Sequence, residues 1–159
     1  MTQKDIELLI KDLSARLPYN VYVYFKTRYR CNAITDVLDG AIYTYIETHL
    51  LEDDGENEID IIKPYLRPMS SITEEEAKEI ATLHGLKNIL SVKITDEYID
   101  VIIDDGFNST ERITLWYDEL ILSIECFDWL NAHHFDYRGL IEKALALEAP
   151  EEMYKVNEK

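Results

Sequence analysis

The sequence predicts an α+β fold, a single domain in which an antiparallel sheet is flanked by helices. Three observations carry this expectation. The first residues repeat apolar side chains at three- and four-residue steps, two later blocks alternate apolar and polar residues with period two, and a well-punctuated helix lies between those blocks. A chain of 159 residues buries about 70% of its unfolded surface, enough for one core, and no internal repeat divides it. The domain is expected over 1–149, with 150–159 as a mobile C-terminal tail.

Residues 2–17 make the first expected helix. Ile6, Leu9, Ile10, Leu13 and Leu17 form one apolar stripe, and Lys4, Asp5, Lys11, Asp12 and Arg16 lie off it. Thr2 is placed to cap this helix with Asp5 three residues on. Pro18 is placed to end it, because proline disfavours helical backbone at the residue before it. Three β-rich runs follow at 21–30, 32–38 and 41–47. Asp39-Gly40 joins the last two as a hairpin, since a type I′ turn needs positive φ, which Asp tolerates and Gly adopts freely. The acidic segment 48–57 reads as a loop, and 58–65 as a strand that Pro64 must end or place at an edge.

The second helix has its own punctuation: Thr73 caps, Glu76 closes the box and Gly85 follows the last turn, with Ala77, Ile80, Ala81 and Leu83 or His84 on the buried side. Runs 89–95, 98–103 and 110–117 then make an antiparallel meander turning at Asp96-Glu97 and at Asp104-Asp105-Gly106. A last long helix begins near Asp118 or at Ser123 and ends near His133, burying Leu122, Cys126, Trp129 and Leu130. One or two further helical turns across 136–149 are expected to dock Leu140, Ile141, Leu145 and Leu147.

Sixteen basic residues stand against 32 acidic ones, a formal charge of -16. That balance opposes direct nucleic-acid binding, which needs phosphate neutralisation, and favours a protein partner, a basic one above all. Averaged over roughly 8,000 Å² of surface it is about one charge per 500 Å², against about one per 100 Å² for duplex DNA. Mimicry of nucleic acid therefore needs the acids gathered on one face. Glu47, Glu52, Asp53, Asp54, Glu56, Glu58 and Asp60 fall together without a Lys or Arg, and Asp96, Glu97, Asp100, Asp104 and Asp105 form a second uncompensated group. The plainer role for both is solvated loops and hairpin ends that keep the protein soluble. The polar start and the absence of a long apolar run point to a cytoplasmic protein without a membrane partner. Cys31 and Cys126 lack metal-ligand spacing and read as buried, reduced thiols.

The most suggestive local pattern lies in the first strand. Tyr22, Tyr24, Lys26, Arg28 and Arg30 share one face of a regular pleat, and Val21, Val23, Phe25, Thr27 and Tyr29 share the other, expected to face the core. Rings for stacking and cations for phosphate suit an anionic ligand, while an exposed basic face also guards a sheet edge against pairing. His133 and His134 are neighbours on an expected helix end, so their rings diverge by about 100° and do not share a metal ion. The helix dipole gives them a structural role. No phosphate-binding glycine loop, nucleophile motif or metal-ligand set is present, so no catalytic residue, cofactor or metal is assigned.

Two segments carry a family resemblance: Ile62-Lys63-Pro64-Tyr65-Leu66-Arg67-Pro68-Met69-Ser70-Ser71 with Thr73-Glu74-Glu75-Glu76-Ala77, and Asp128-Trp129-Leu130-Asn131, His134, Asp136-Tyr137-Arg138-Gly139-Leu140-Ile141 with Ala146-Leu147-Glu148-Ala149. They resemble an uncharacterised family of small acidic proteins of Bacteroides-type bacteria and their prophages. The resemblance implies an accessory role associated with a phage or mobile element, and it transfers no site residue because the family has no established activity. Within the first segment, Tyr65 and Arg67 flank a proline-braced turn where they either pack on the fold or are presented from it. The functional expectation is a non-enzymatic cytoplasmic protein-binding module. Its alternatives are an acidic inhibitor that occupies a basic nucleic-acid-binding surface, and a small-ligand protein or enzyme with a pocket beside the aromatic first sheet.

Overall fold

The computed structural model describes residues 1–25, 31–38, 41–44, 57–58, 62–107 and 109–154, and they form an α+β fold. In chain order the helices are α1 (Gln3–Arg16), α2 (Glu74–Leu83) and α3 (Ile124–Ala132). The strands are β1 (Tyr22–Phe25), β2 (Cys31–Leu38), β3 (Ala41–Thr44), β4 (Asn57–Glu58), β5 (Ile62–Leu66), β6 (Ile89–Ile94), β7 (Tyr98–Asp104), β8 (Thr110–Trp116) and β9 (Leu147–Glu148). The chain divides into two compact units. Met1–Arg67, Asn131–His134 and Arg138–Lys159 make the first, and Pro68–Leu130 with Phe135–Tyr137 the second.

The first unit opens with α1, whose capping box is complete: the Thr2 hydroxyl accepts from the Asp5 N–H, and the Asp5 carboxylate accepts from the Thr2 N–H at 2.8 Å. Leu9 and Leu13 are fully buried, as the stripe requires. Two features differ from expectation. Asp12 and Arg16 are not on a solvent face but fully buried, because each neutralises the other. Pro18 does not force Leu17 out of the helical region either: Leu17 has φ -48 and ψ -45. Leu17–Tyr19 continues as a 3-10 turn with Pro18 near its start, where a missing N–H costs nothing. Asn20 stops it, in the left-handed region at φ 55 and ψ 51.

The strands of this unit run in the order β4-β3-β2-β1-β5-β9. All pairs are antiparallel except β5 with β9. Leu38 opposes Ala41, the register a two-residue hairpin connection imposes. Asp39-Gly40 itself, 26–30, 45–47 and the acidic segment 48–56 lie outside the described residues. The strand expected over 58–65 is two strands: β4 pairs with β3 through Glu58 and Ala41, and β5 pairs with β1 through Ile62 and Phe25. Pro64 sits inside β5 opposite Val23, not at its end. The ladder accommodates it because β9 reaches only Tyr65 and Leu66 on the other side.

The segment 136–149 also departs from its expected helical form. It is a chain of turns leading into β9. Positive φ at Gly139 (65) and Ala144 (56) breaks the helical path, the Leu140 carbonyl accepts from both Leu145 and Ala146, and Ala149 N–H reaches the Leu66 carbonyl at 2.8 Å. Leu140, Leu145 and Ala146 thereby join Leu9, Leu13, Val21, Val23, Ile62 and Leu66 in one core.

The second unit is the β6-β7-β8 meander with α2 and most of α3. Thr73 and Glu76 make the expected capping box on α2. Ala77, Ile80 and Ala81 are buried, whereas Leu83 is exposed and His84 only half-buried, because the apolar face ends with the last turn, and Gly85 takes the left-handed position after the helix at φ 82. Ile99 and Val101 of β7 pack with them, with Tyr117, Leu120, Cys126, Leu130 and Phe135. Ser123 caps α3, its hydroxyl accepting from the Cys126 N–H. No helix among the described residues is long and apolar enough to cross a membrane.

Candidate functional site

A cavity of about 330 Å³ lies wholly within the first unit. Tyr19 and Asn20 reach it from the turn after α1, Tyr22 from β1 and Arg67 from the end of β5. Ala132, His133 and His134 come from the C-terminal end of α3 and the residues after it, and Met153 and Tyr154 from the segment beyond β9. Period-two geometry explains Tyr22: Val21 and Val23 turn into the core at 0% exposure, which leaves Tyr22 outward.

His134 is the focus of the wall. It follows the last turn of α3 in the left-handed region at φ 59, a conformation that costs a non-glycine residue about 1–3 kcal/mol. Its main chain is held at both ends, its N–H donating to the Asn131 carbonyl at 3.1 Å and its carbonyl accepting from the Arg67 N–H at 2.8 Å. The side chain is 5% exposed and Nδ1 is buried without a hydrogen-bond partner. Burial, then the positive charge of Arg16, His133 and Arg67, push the imidazole down from its usual 6.5 to about 3, so it is neutral near pH 7.

Tyr154 closes one side. Its ring stacks on His134 with centroids 3.9 Å apart and tilts against Tyr22 at 5.8 Å. The same hydroxyl accepts from the Tyr22 N–H at 3.0 Å and donates to the Tyr65 carbonyl at 2.8 Å, tying β1 to β5. The stretch expected as a mobile tail thus contains an anchored residue, Tyr154, and 155–159 lie outside the described residues.

Of the residues singled out by sequence, Tyr22 and Arg67 meet at this cavity. Tyr24 lies on β1 opposite Cys31 and Lys63, and Tyr65 contributes its carbonyl to Tyr154. Glu58 is placed on β4. Lys26, Arg28, Arg30, Glu52, Asp53, Asp54 and Glu56 lie outside the described residues. The second acidic group is less uncompensated than its spacing suggests. Asp100 is 2% exposed and takes hydrogen bonds from Arg112 and, at 2.8 Å, from the Thr114 hydroxyl, which hold its carboxyl below the usual range. Asp104 and Asp105 accept from N–H groups of the β7–β8 turn.

The cavity residues that sequence reasoning missed include Tyr19, Asn20, His133 and Met153 and, above all, His134 and Tyr154. The His133-His134 doublet is a visible signal, but nothing local reveals that one ring is buried against a tyrosine twenty residues further on. Among the described residues no group of three or more His, Cys, Asp or Glu is arranged to hold a metal ion. Cys126 is buried in the second unit, with its thiol pushed up by that burial, which makes it a poor nucleophile. A second hollow, lined by Lys78, Glu79, Thr82, Leu83 and Trp129, offers less chemistry, since the Trp129 indole N–H is already bonded to Glu79 at 3.0 Å.

Comparison of the chain with protein-family models, with curated proteins and with solved structures gives no match.

Proposed function

We propose that the protein is a non-enzymatic binding module that takes a small ligand into the cavity beside β1. The observation that carries this reading is His134: a buried ring in a strained backbone position, with a partnerless Nδ1, in the wall of a cavity that also presents Tyr22 and Arg67. Strain and an unsatisfied buried nitrogen are each unfavourable to the empty fold, and a ligand that bonds the nitrogen offsets part of that cost. Binding is favoured over catalysis because an imidazole held near 3 is far from the range of an effective proton-transfer group at neutral pH. The test is thermal unfolding against a panel of small metabolites. A ligand present at 100 times its Kd stabilises by about 2.7 kcal/mol. The expected result is a raised Tm for one compound class, lost in Tyr22→Ala. Uniform absence of stabilisation across the panel would sink the reading.

A second reading follows from charge. An excess of 16 acids over bases suits a cytoplasmic module that engages a basic protein, in the sharper form as an inhibitor of a nucleic-acid-binding surface. Capture of a basic, nucleic-acid-binding protein at about 0.1 M salt, with release as salt rises, is the expected result. Retention that is indifferent to salt would remove the electrostatic account.

A further inference from the structure

From the chemistry of the cavity wall we infer that the site selects an uncharged planar ring carrying an N–H or O–H donor, which bonds the bare lone pair of His134 Nδ1 while the ring lies among Tyr19, Tyr22 and Tyr154. This deepens the ligand-binding reading above and rests on it. The first support is the tautomer of His134. The one N–H of its neutral ring is turned to the Tyr19 backbone, and Nδ1 is the ring nitrogen without a partner. Nε2 therefore carries the proton, and Nδ1 can only accept. The side chain is 5% exposed, so the lone pair has left water with nothing in exchange, and a ligand that donates to it restores what burial removed.

The second support is charge. An ammonium group also donates, but Arg16, His133 and Arg67 all oppose positive charge at the ring, and no carboxylate among the described residues lines the cavity to neutralise it. An oxyanion sets its own lone pairs against that of Nδ1 and needs a proton on the ring, which burial and the same three groups resist. An uncharged donor meets neither obstacle. The third support is geometric. His134 is held at both ends of its main chain, at Nε2 by Tyr19 and across its ring face by Tyr154 at 3.9 Å, so the direction of the lone pair is set before any ligand arrives. Tyr19, Tyr22 and Tyr154 line the cavity, and aromatic faces and edges suit a flat apolar body behind the donor. A volume of about 330 Å³ sits at the lower end of ligand pockets and fits one ring or a fused pair.

The experiment uses the whole protein and two pairs of probes, phenol with anisole and indole with N-methylindole, each at up to about 10 mM, with benzoate and benzylamine as charged controls. The readouts are the ring nitrogen resonances of His134 by NMR, with Tm in parallel. Without ligand, Nδ1 is expected to be the unprotonated nitrogen and Nε2 the protonated one; the reverse would overturn the inference. Phenol or indole is expected to move the Nδ1 resonance and raise Tm, and capping the donor with a methyl group should weaken binding by about tenfold or more. Response to phenol alone identifies a hydroxyl donor, and response to indole alone a ring N–H; either supports the inference. His134→Phe should keep a ring against Tyr154 and lose the preference for phenol over anisole. The capped probes test the same bond on the wild-type protein, whatever that variant does to folding. Capped probes binding as tightly as their parents, or a charged control binding more tightly than phenol and indole, would overturn donor selectivity and leave the ligand-binding reading standing. No response to any probe would overturn the inference, and the metabolite panel then decides the broader reading.

Discussion

Arg16 grips Asp12 with two hydrogen bonds inside the first unit, Nε to Oδ2 at 2.7 Å and Nη2 to Oδ1 at 3.0 Å, and neither side chain is exposed. They are one helical turn apart on α1, and Arg138 adds a second cation 3.8 Å from Asp12 Oδ1. A buried pair of this kind is weak evidence for net stabilisation, but breaking it leaves one charge stranded. Asp12→Ala and Arg16→Ala should each destabilise by about 3–5 kcal/mol in urea unfolding, while the joint Asp12→Leu, Arg16→Met replacement should recover most of that loss. A cost below about 1 kcal/mol for either single change would show that water reaches the pair.

The pH dependence of stability should carry the signature of His134. Its folded value, about 3, lies below its unfolded value near 6.5, so the unfolded chain takes up the proton first. The stability linked to the neutral ring is intact above about pH 6.5 and is lost as pH falls toward 3, at up to about 1.4 kcal/mol per pH unit. Asp5, Asp100 and Asp105 are shifted downward by their hydrogen bonds, so their own losses belong mainly to lower pH. Wild type should therefore lose about 2–3 kcal/mol between pH 7 and 4.5 that His134→Gln does not. Parallel curves for the two proteins would mean the ring is solvated and its burial is not what lowers its affinity for a proton.

The contrast between these residues and the helices shows what the sequence could convey. The caps of α1 and α2 and the turns of the β6-β7-β8 meander rest on interactions within a few residues, so Thr2, Thr73 and Gly85 announce them. Asp12 and Arg16 mislead because a periodicity argument sends every charge to solvent, whereas a mutually neutralised pair travels inward with the helix. Tyr22 and Arg67 stand out by residue type, but their meeting depends on β1 pairing with β5. His134 and Tyr154 depend on a left-handed backbone and a long-range stack that no local pattern encodes. The two-unit division is equally silent, since its segments interleave along the chain and no linker separates them.

Tyr154 is the cheapest place to test how the cavity is closed. Its hydroxyl bridges the Tyr22 N–H and the Tyr65 carbonyl, so Tyr154→Phe keeps the stack on His134 and removes both bonds. A loss of about 1–2 kcal/mol is expected, because only the partly buried carbonyl is left wanting while the Tyr22 N–H reaches solvent. Faster amide exchange at Tyr22 should accompany it. Exchange unchanged from wild type would show that the bridge does not persist in solution.

Ala144 offers the opposite sign. It is exposed, at φ 56, in the turn before β9, and its N–H donates to the Ile141 carbonyl at 2.9 Å. A Cβ in that region costs about 1–2 kcal/mol, whereas glycine adopts it freely and adds about 0.4–1 kcal/mol of unfolded-state entropy against folding. Ala144→Gly should thus stabilise by roughly 0.5–1 kcal/mol, a rise of about 2–4 °C in Tm. Gly139→Ala is the internal control, because it introduces the same penalty at φ 65 and also brings a Cβ to 3.2 Å from Lys143 Nζ. It should destabilise by more than Ala144→Gly stabilises. If the first change lowered Tm, the left-handed turn at 144 would not be the solution conformation, and the route that delivers Leu145, Ala146 and β9 to the core would need a different geometry.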